Sequence, residues 1–155
     1  NLNKKIFVEN SFATGKAYAA ALELAIGGLE GKTVLVIGGG RVGSSAIDYI
    51  IKKGAKVILM EINKEKAVEL KKIYMEHLTI MDNLDEAKKH TRIILIAAPV
   101  HGLLDESRID SKTIVSSPAI PSGLTEAALE KLPDRNFIHD PLQMGVVAMV
   151  ALALK

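Results

Sequence analysis

Residues 34–46 read VLVIGGGRVGSSA. An apolar run stops at three glycines, and Arg41, Val42, Gly43 and a series of small residues follow. Thr33–Ile37 is apolar and β-branched, the pattern of a strand buried on both faces. After the glycines, Ala46, Ile47, Ile50 and Ile51 recur at helical spacing, which predicts a helix over Ser44–Lys53, stopped by Gly54. The stretch is therefore strand, glycine turn, helix, and the rest of the chain repeats that rhythm.

Strands are predicted at Lys56–Met60, Leu78–Met81, Arg92–Ala98, Lys112–Ser116 and Asn136–His139. Helices are predicted at Lys64–Tyr74, Leu84–His90 and Thr125–Lys131, with an apolar, buried helix from Leu142 onward. An Ala-rich helix, Gly15–Ile26, precedes the first strand and ends at Gly27 and Gly28. Alternation of this kind gives a parallel sheet covered on both faces. The expected fold is α/β, a Rossmann-like doubly wound parallel sheet preceded by an interdomain helix. Residues 1–30 form a leading segment and residues 31–155 the domain proper. The Ala-rich helix carries Ala17, Ala20, Ala21, Leu24 and Ala25 as a narrow stripe of small bulk, and Thr14 is placed to cap its start near the sheet's ligand edge, where it is a candidate substrate contact.

Such sheets bind ligands at the carboxyl ends of their strands. Gly38 to Gly43 is GxGxxG between a predicted strand and a predicted helix. In that setting Gly38 permits the tight turn, Gly40 lets a pyrophosphate approach the backbone, and Gly43 lets the helix pack close to the strand. The helix start, with Arg41 and Val42, offers unpaired N–H groups and a partial positive charge to the phosphates. The next strand ends on Glu61, 18 residues after Gly43. A carboxylate there accepts hydrogen bonds from the ribose hydroxyls of an adenosine and repels a 2′-phosphate. Neither Ile62 nor Asn63 supplies the positive charge an NADP site wants, although Lys64 is close. NAD is the expected cofactor.

Other strand ends add candidates. Ala97, Ala98 and Pro99 leave room for a flat ligand. Ser117 and Pro118 lie in the segment Ser116–Pro121, SSPAIP, whose prolines fix an extended path that can line the nicotinamide. In HDPLQMG, Asp140 can N-cap the last helix with Pro141 at its first position, or Asp140, Gln143 or His139 can reach the reacting end of the ligand.

Composition narrows the function classes. The 155 residues are 48% hydrophobic and 25% charged, with a net charge of +2 and dispersed lysines, which argues against a nucleic-acid partner. With no cysteine there is no disulfide or thiolate metal site, and a cytoplasmic setting fits. The histidines share no metal-binding spacing, no HExxH or GxSxG occurs, and no metal is expected. The longest apolar stretch, Gly145–Leu154, is short of the ~20 residues of a membrane span, and the first residues do not read as a signal peptide. The start on Asn1 rather than Met suggests a cut end of a longer protein. The expected partners are a small-molecule substrate and either a second copy of the chain or a preceding domain.

Four stretches in order, Ala13-Thr14-Gly15, VLVIGGGRVG, IVSSPAIPSGLTEAALEKL and HDPLQMG, resemble the C-terminal part of the pyrrolysine-biosynthesis dehydrogenases, which oxidise 3-methylornithyl-lysine. That resemblance implies a Rossmann domain that binds NAD and an N-terminal domain that supplies much of the substrate surface. The latter is absent from this sequence. GGGRVG followed by a strand ending in an acid also looks like the nucleotide-sensing domains that regulate potassium channels and transporters. A dehydrogenase of another substrate, for instance of the precorrin-2 type, is the third reading. Hydride leaves an amine- or alcohol-bearing carbon for the nicotinamide in the first, and no catalytic residue is assigned.

Overall fold

In the computed structural model, residues 9–140 are described. Their order is α1 (Asn10–Ile26), β1 (Thr33–Ile37), α2 (Arg41–Lys52), β2 (Lys56–Met60), α3 (Lys64–Tyr74), β3 (Leu78–Ile80), α4 (Leu84–Lys88), β4 (Ile93–Ile96), β5 (Ile114–Ser116), α5 (Glu126–Lys131) and β6 (Phe137–Ile138). All strand pairs are parallel, in the order β3-β2-β1-β4-β5-β6. The order reverses between β1 and β4, so a crevice opens beyond their carboxyl ends. The apolar runs of β1 and β4 are buried, as expected of central parallel strands. Two apolar cores result, one on each face of the sheet. The first gathers Tyr18, Leu22, Ile47, Ile50 and Leu70, and the second Leu84, Leu104, Ile109 and Leu132.

Several expectations shift. α1 begins at Asn10, so Thr14 lies inside the helix and not at its cap; Glu9 holds the N-cap position. The buried face of α1 is Ala13, Gly15, Tyr18, Ala19 and Leu22, while Leu24 of the expected stripe is 84% exposed. Alanines carry little weight in setting a face, so the one large amphipathic side chain decides it. The Tyr18 hydroxyl accepts the Asp140 N–H at 2.8 Å, and the Tyr18 carbonyl accepts the Ser116 hydroxyl at 3.0 Å. α1 packs on the start of α2 at van der Waals limit: a Cβ on Gly15 would stand 2.1 Å from the Val42 carbonyl oxygen. The Ser45 hydroxyl donates to the Phe12 carbonyl at 2.6 Å across the same junction. α2 starts at Arg41, three residues earlier than the apolar periodicity suggests. α4 ends at Lys88, and β3, β4, β5 and β6 are each shorter than predicted. The helix expected from Leu142, with Pro141 and Gln143, lies outside the described residues.

Tyr49 and Tyr74 tie the helices on one face together. The Tyr49 hydroxyl donates to Glu23 at 2.5 Å, and the Tyr74 hydroxyl to Asp48 at 3.2 Å. Burial first, then the facing carboxylate, pushes each phenol up to about 12. A raised folded-state value means that the neutral phenols stabilise the fold. That contribution is whole below the ordinary value of 10.0 and is lost as pH rises through about 12. The urea midpoint is therefore expected to fall over that alkaline window. The double variant Tyr49→Phe, Tyr74→Phe, followed by fluorescence-free circular dichroism, should fall less steeply; an equal slope contradicts the assignment.

Candidate dinucleotide-binding site

The glycine loop is built from its backbone outward. Gly38 has φ +97°, a region L side chains rarely adopt, and a Cβ on it would stand 2.9 Å from the Ala98 nitrogen. Gly43 faces inward: a Cβ there would stand 1.9 Å from the Gly38 carbonyl oxygen, so α2 can approach β1 only through glycine. Gly40 is the opposite case. It is the residue before α2, its φ is −65°, and a Cβ on it would meet nothing within 4 Å. The loop thus leaves open space beside the backbone at the start of a twelve-residue helix. That is the room an anionic group needs to reach the unpaired N–H groups. The Ser44 hydroxyl donates to the Gly39 carbonyl at 2.8 Å and fixes the loop from inside.

Glu61 stands at the end of β2, and its carboxylate is tied to the loop. One oxygen accepts the Gly39 N–H at 2.5 Å and the other the Asn63 N–H at 2.8 Å. Sequence reasoning gave Glu61 the ribose alone; the contact with Gly39 was not legible, because it depends on the register that brings Met60 beside Ile37. A carboxylate has about four lone-pair sites, so two backbone donors leave capacity for hydroxyl groups. Asn63 is committed elsewhere: its side chain accepts the Lys66 N–H at 3.0 Å and caps α3. Ile62 is fully exposed beside Glu61. Arg41 is exposed too, and its guanidinium pairs with Glu9 at 3.2 Å.

Between loop and strand ends lies a cleft of about 560 Å³. Gly38, Gly40, Glu61, Ile62, Ala97, Ala98 and Pro99 line it, as the sequence suggests. Met60, Met81, Val100 and Leu103 extend its apolar wall, and Lys64 and Asp82 add charge. Apart from Lys64, already noted as close, these were missed because they follow from strand order; the signal, in retrospect, is that Met60, Met81 and Asp82 lie at or just beyond a strand's carboxyl end. A volume of this size with apolar walls and few polar groups suits an adenosine.

The remaining candidates lie elsewhere. Ser117 does not line the cleft: it is fully buried, and its hydroxyl donates to the Ser122 carbonyl at 2.9 Å. Pro118 follows it, half-buried and away from the cleft lining. The strand end consumes these residues in its own turn. Thr14 and Asp140 also stand apart from the cleft, Asp140 at the end of β6 with its N–H on Tyr18. His139 is held by a 2.7 Å hydrogen bond between Nδ1 and the Ser117 carbonyl, with its ring stacked on Phe137 at 5.4 Å. Gln143 is outside the described residues. Among the described residues, no three His, Cys, Asp or Glu side chains gather to hold a metal ion, and no helix is long and apolar enough to cross a membrane.

Comparison with known proteins agrees with this geometry. The model of the alanine dehydrogenase/PNT C-terminal domain matches residues 9–116. A glutamyl-tRNA reductase of Methanocaldococcus jannaschii is 37% identical over 123 residues, which is 75% of this chain and 31% of that protein. Shikimate dehydrogenase of Aquifex aeolicus is 26% identical, with a TM-score of 0.67 over 88% of this chain and 53% of its own. Quinate dehydrogenase of Corynebacterium glutamicum, solved in complex with NAD, is 14% identical, with a TM-score of 0.65 over 89% of this chain and 54% of its own. A shikimate dehydrogenase in complex with NADP+ is 17% identical, with a TM-score of 0.69 over 92% of this chain and 56% of its own. The latter two likenesses are of fold. The chain spans about a third of the curated relative and about half of each solved structure. These matches reach a broader group than the pyrrolysine enzymes. The chain belongs to the alanine dehydrogenase/PNT C-terminal domain family, and it is a dehydrogenase-type Rossmann domain.

Proposed function

We propose that this chain is the NAD-binding domain of an oxidoreductase that moves hydride between the nicotinamide and a substrate carbon bearing an amine or alcohol. One observation carries the reading: the open side of Gly40, at the start of α2, faces the same cleft as the Glu61 carboxylate. When bound, the dinucleotide supplies the hydride chemistry. The chain supplies position. Backbone N–H groups from Gly40 into α2 hold the pyrophosphate, Glu61 accepts the ribose hydroxyls, and Met60, Met81 and Val100 cover the adenine. Membership in the dehydrogenase-type family favours this over the nucleotide-sensing reading.

Glu61 sets the choice between cofactors. Its charge is fixed beside Gly39 by two backbone bonds, so a 2′-phosphate would meet a carboxylate unable to turn away. NAD is expected to bind at least about tenfold more tightly than NADP, since like charges facing each other cost several kcal/mol. Glu61→Ala narrows that gap, mainly by weakening NAD, and frees the Gly39 N–H as well. Paired calorimetric titrations check this; equal dissociation constants for the two cofactors in the unmutated chain refute it.

The resemblance to the pyrrolysine-biosynthesis dehydrogenases supports an amino-acid-derived amine such as 3-methylornithyl-lysine as substrate. The identity with glutamyl-tRNA reductase supports a second reading, a reductase of another substrate. The outer face of α1, where Phe12 is 44% and Leu24 84% exposed, is the surface proposed to meet a substrate domain or a second copy. The test is NADH formation by the full-length protein with 3-methylornithyl-lysine and NAD. No turnover there, with reduction of glutamyl-tRNA instead, selects the second reading.

A further inference from the structure

We propose that a second cleft, at the amino ends of β4 and β5 and so at the far end of the sheet from the glycine loop, binds the phosphate group of a small molecule. The cleft measures about 320 Å³. Four cations, Lys88, Lys89, Arg92 and Arg108, and two carboxylates, Asp85 and Asp110, line it. Asp105, on Arg108 Nη1 at 3.4 Å, and Glu86, on Lys89 at 2.6 Å, add two more carboxylates, and all four are already committed. Asp110 holds Arg92 through Nε at 2.6 Å, and Asp85 holds Arg108 through Nε at 3.0 Å. Asp110 also accepts the Lys112 N–H at 2.9 Å and the Thr113 hydroxyl at 3.2 Å. Each guanidinium is thus gripped at its inner nitrogen. Among the described residues, neither terminal nitrogen of Arg92 and only one of Arg108, Nη1, has a partner. The Arg92 guanidinium, fixed from behind with both terminal nitrogens unused, together with the second terminal nitrogen of Arg108, suits a tetrahedral oxyanion.

Lys88 completes the set. Lys89 beside it pairs with Glu86 at 2.6 Å, whereas Lys88 makes no hydrogen bond or ion pair among the described residues, although it is half-buried. Burial holds its ammonium below the ordinary lysine range, against the opposing attraction of Asp85, which makes no ion pair with it. A phosphate in the cleft would supply a counter-charge in contact. Nothing in the cofactor reading uses these residues, since the glycine loop and Glu61 lie at the opposite strand ends.

The test is two-dimensional amide NMR of the whole chain, titrated with inorganic phosphate at constant ionic strength. Saturable shifts are expected at residues 88–94 and 107–113. Lys88→Gln should weaken the binding about tenfold, as loss of one charge-assisted contact does, while Lys131→Gln should not. Arg92→Gln should weaken it as well; because that change also breaks the Asp110 pair, the Lys88 variant decides. A parallel titration with ribose 5-phosphate identifies the source: tighter binding than inorganic phosphate assigns a phosphomonoester, and the reverse assigns the free ion. Linear shifts scattered over the surface lysines, or an unchanged affinity in Lys88→Gln, overturn the proposal. Shifts confined to residues 38–44 overturn it too, while reporting on the glycine loop, so the two sites fail separately.

Discussion

Gly40→Val is expected to abolish NAD binding, by at least about a hundredfold, with a melt close to that of the unmutated chain. The position is permissive for the fold. Its φ of −65° is one that valine adopts, and a Cβ there meets nothing within 4 Å. Conformation and packing therefore allow the larger side chain, which then fills the volume beside the helix start where the pyrophosphate would lie. A phosphate held off the backbone loses several charge-assisted bonds at once, each worth about 1.5–3 kcal/mol. Thermal unfolding and NAD titration on the same sample give the result. A wild-type melt together with unimpaired binding removes the close-approach argument.

Gly43→Ala is expected to do the reverse, striking stability first. The added methyl would lie 1.9 Å from the Gly38 carbonyl oxygen, a backbone atom held in place by the Gly38 N–H bond to Met60 at 2.8 Å. Neither atom can swing aside, so α2 must move off β1. Overpacking of this kind costs roughly 1–3 kcal/mol and occasionally more. In a domain of this size that lowers the melting temperature by about 5–10 °C, or leaves the variant unfolded. Gly15→Ala probes the other side of α2, where the methyl would stand 2.1 Å from the Val42 carbonyl, and should cost a similar amount. Differential scanning calorimetry measures both. A change of less than about one degree in Gly43→Ala would mean that the helix and strand are not packed at glycine distance.

What could be read from the chain alone follows from how local each signal is. β1, β2 and α3 have the predicted bounds because continuous apolar runs and the Asn63 cap are carried by neighbouring residues. The outer strands came out too long because a parallel strand ends where its partner does, and β6 has only Val115 and Ser116 to pair with. The face of α1 was misjudged because Tyr18 finds its partners Asp140 and Ser116 about a hundred or more residues away. The turn at Gly38 and the close packing at Gly43 were legible, since φ and close approach are properties of the residue type itself. Glu61 was legible in position and incomplete in role. The turn chemistry that buries Ser117 was hidden, because Ser122 folds back on it. The charged cleft left no trace in sequence spacing: Asp85 and Arg108, like Arg92 and Asp110, meet only after the sheet has formed.

The claim that the glycine loop and Glu61 form one dinucleotide site is tested most directly by calorimetric titration of the folded chain with NAD and with ADP-ribose. ADP-ribose carries the pyrophosphate and both riboses without the nicotinamide, so it reports on the half of the site built here. Saturable binding of both ligands is predicted, weakened in Glu61→Ala and absent in Gly40→Val. No heat of binding from either ligand at millimolar concentration, on a sample shown to be folded, would contradict the account.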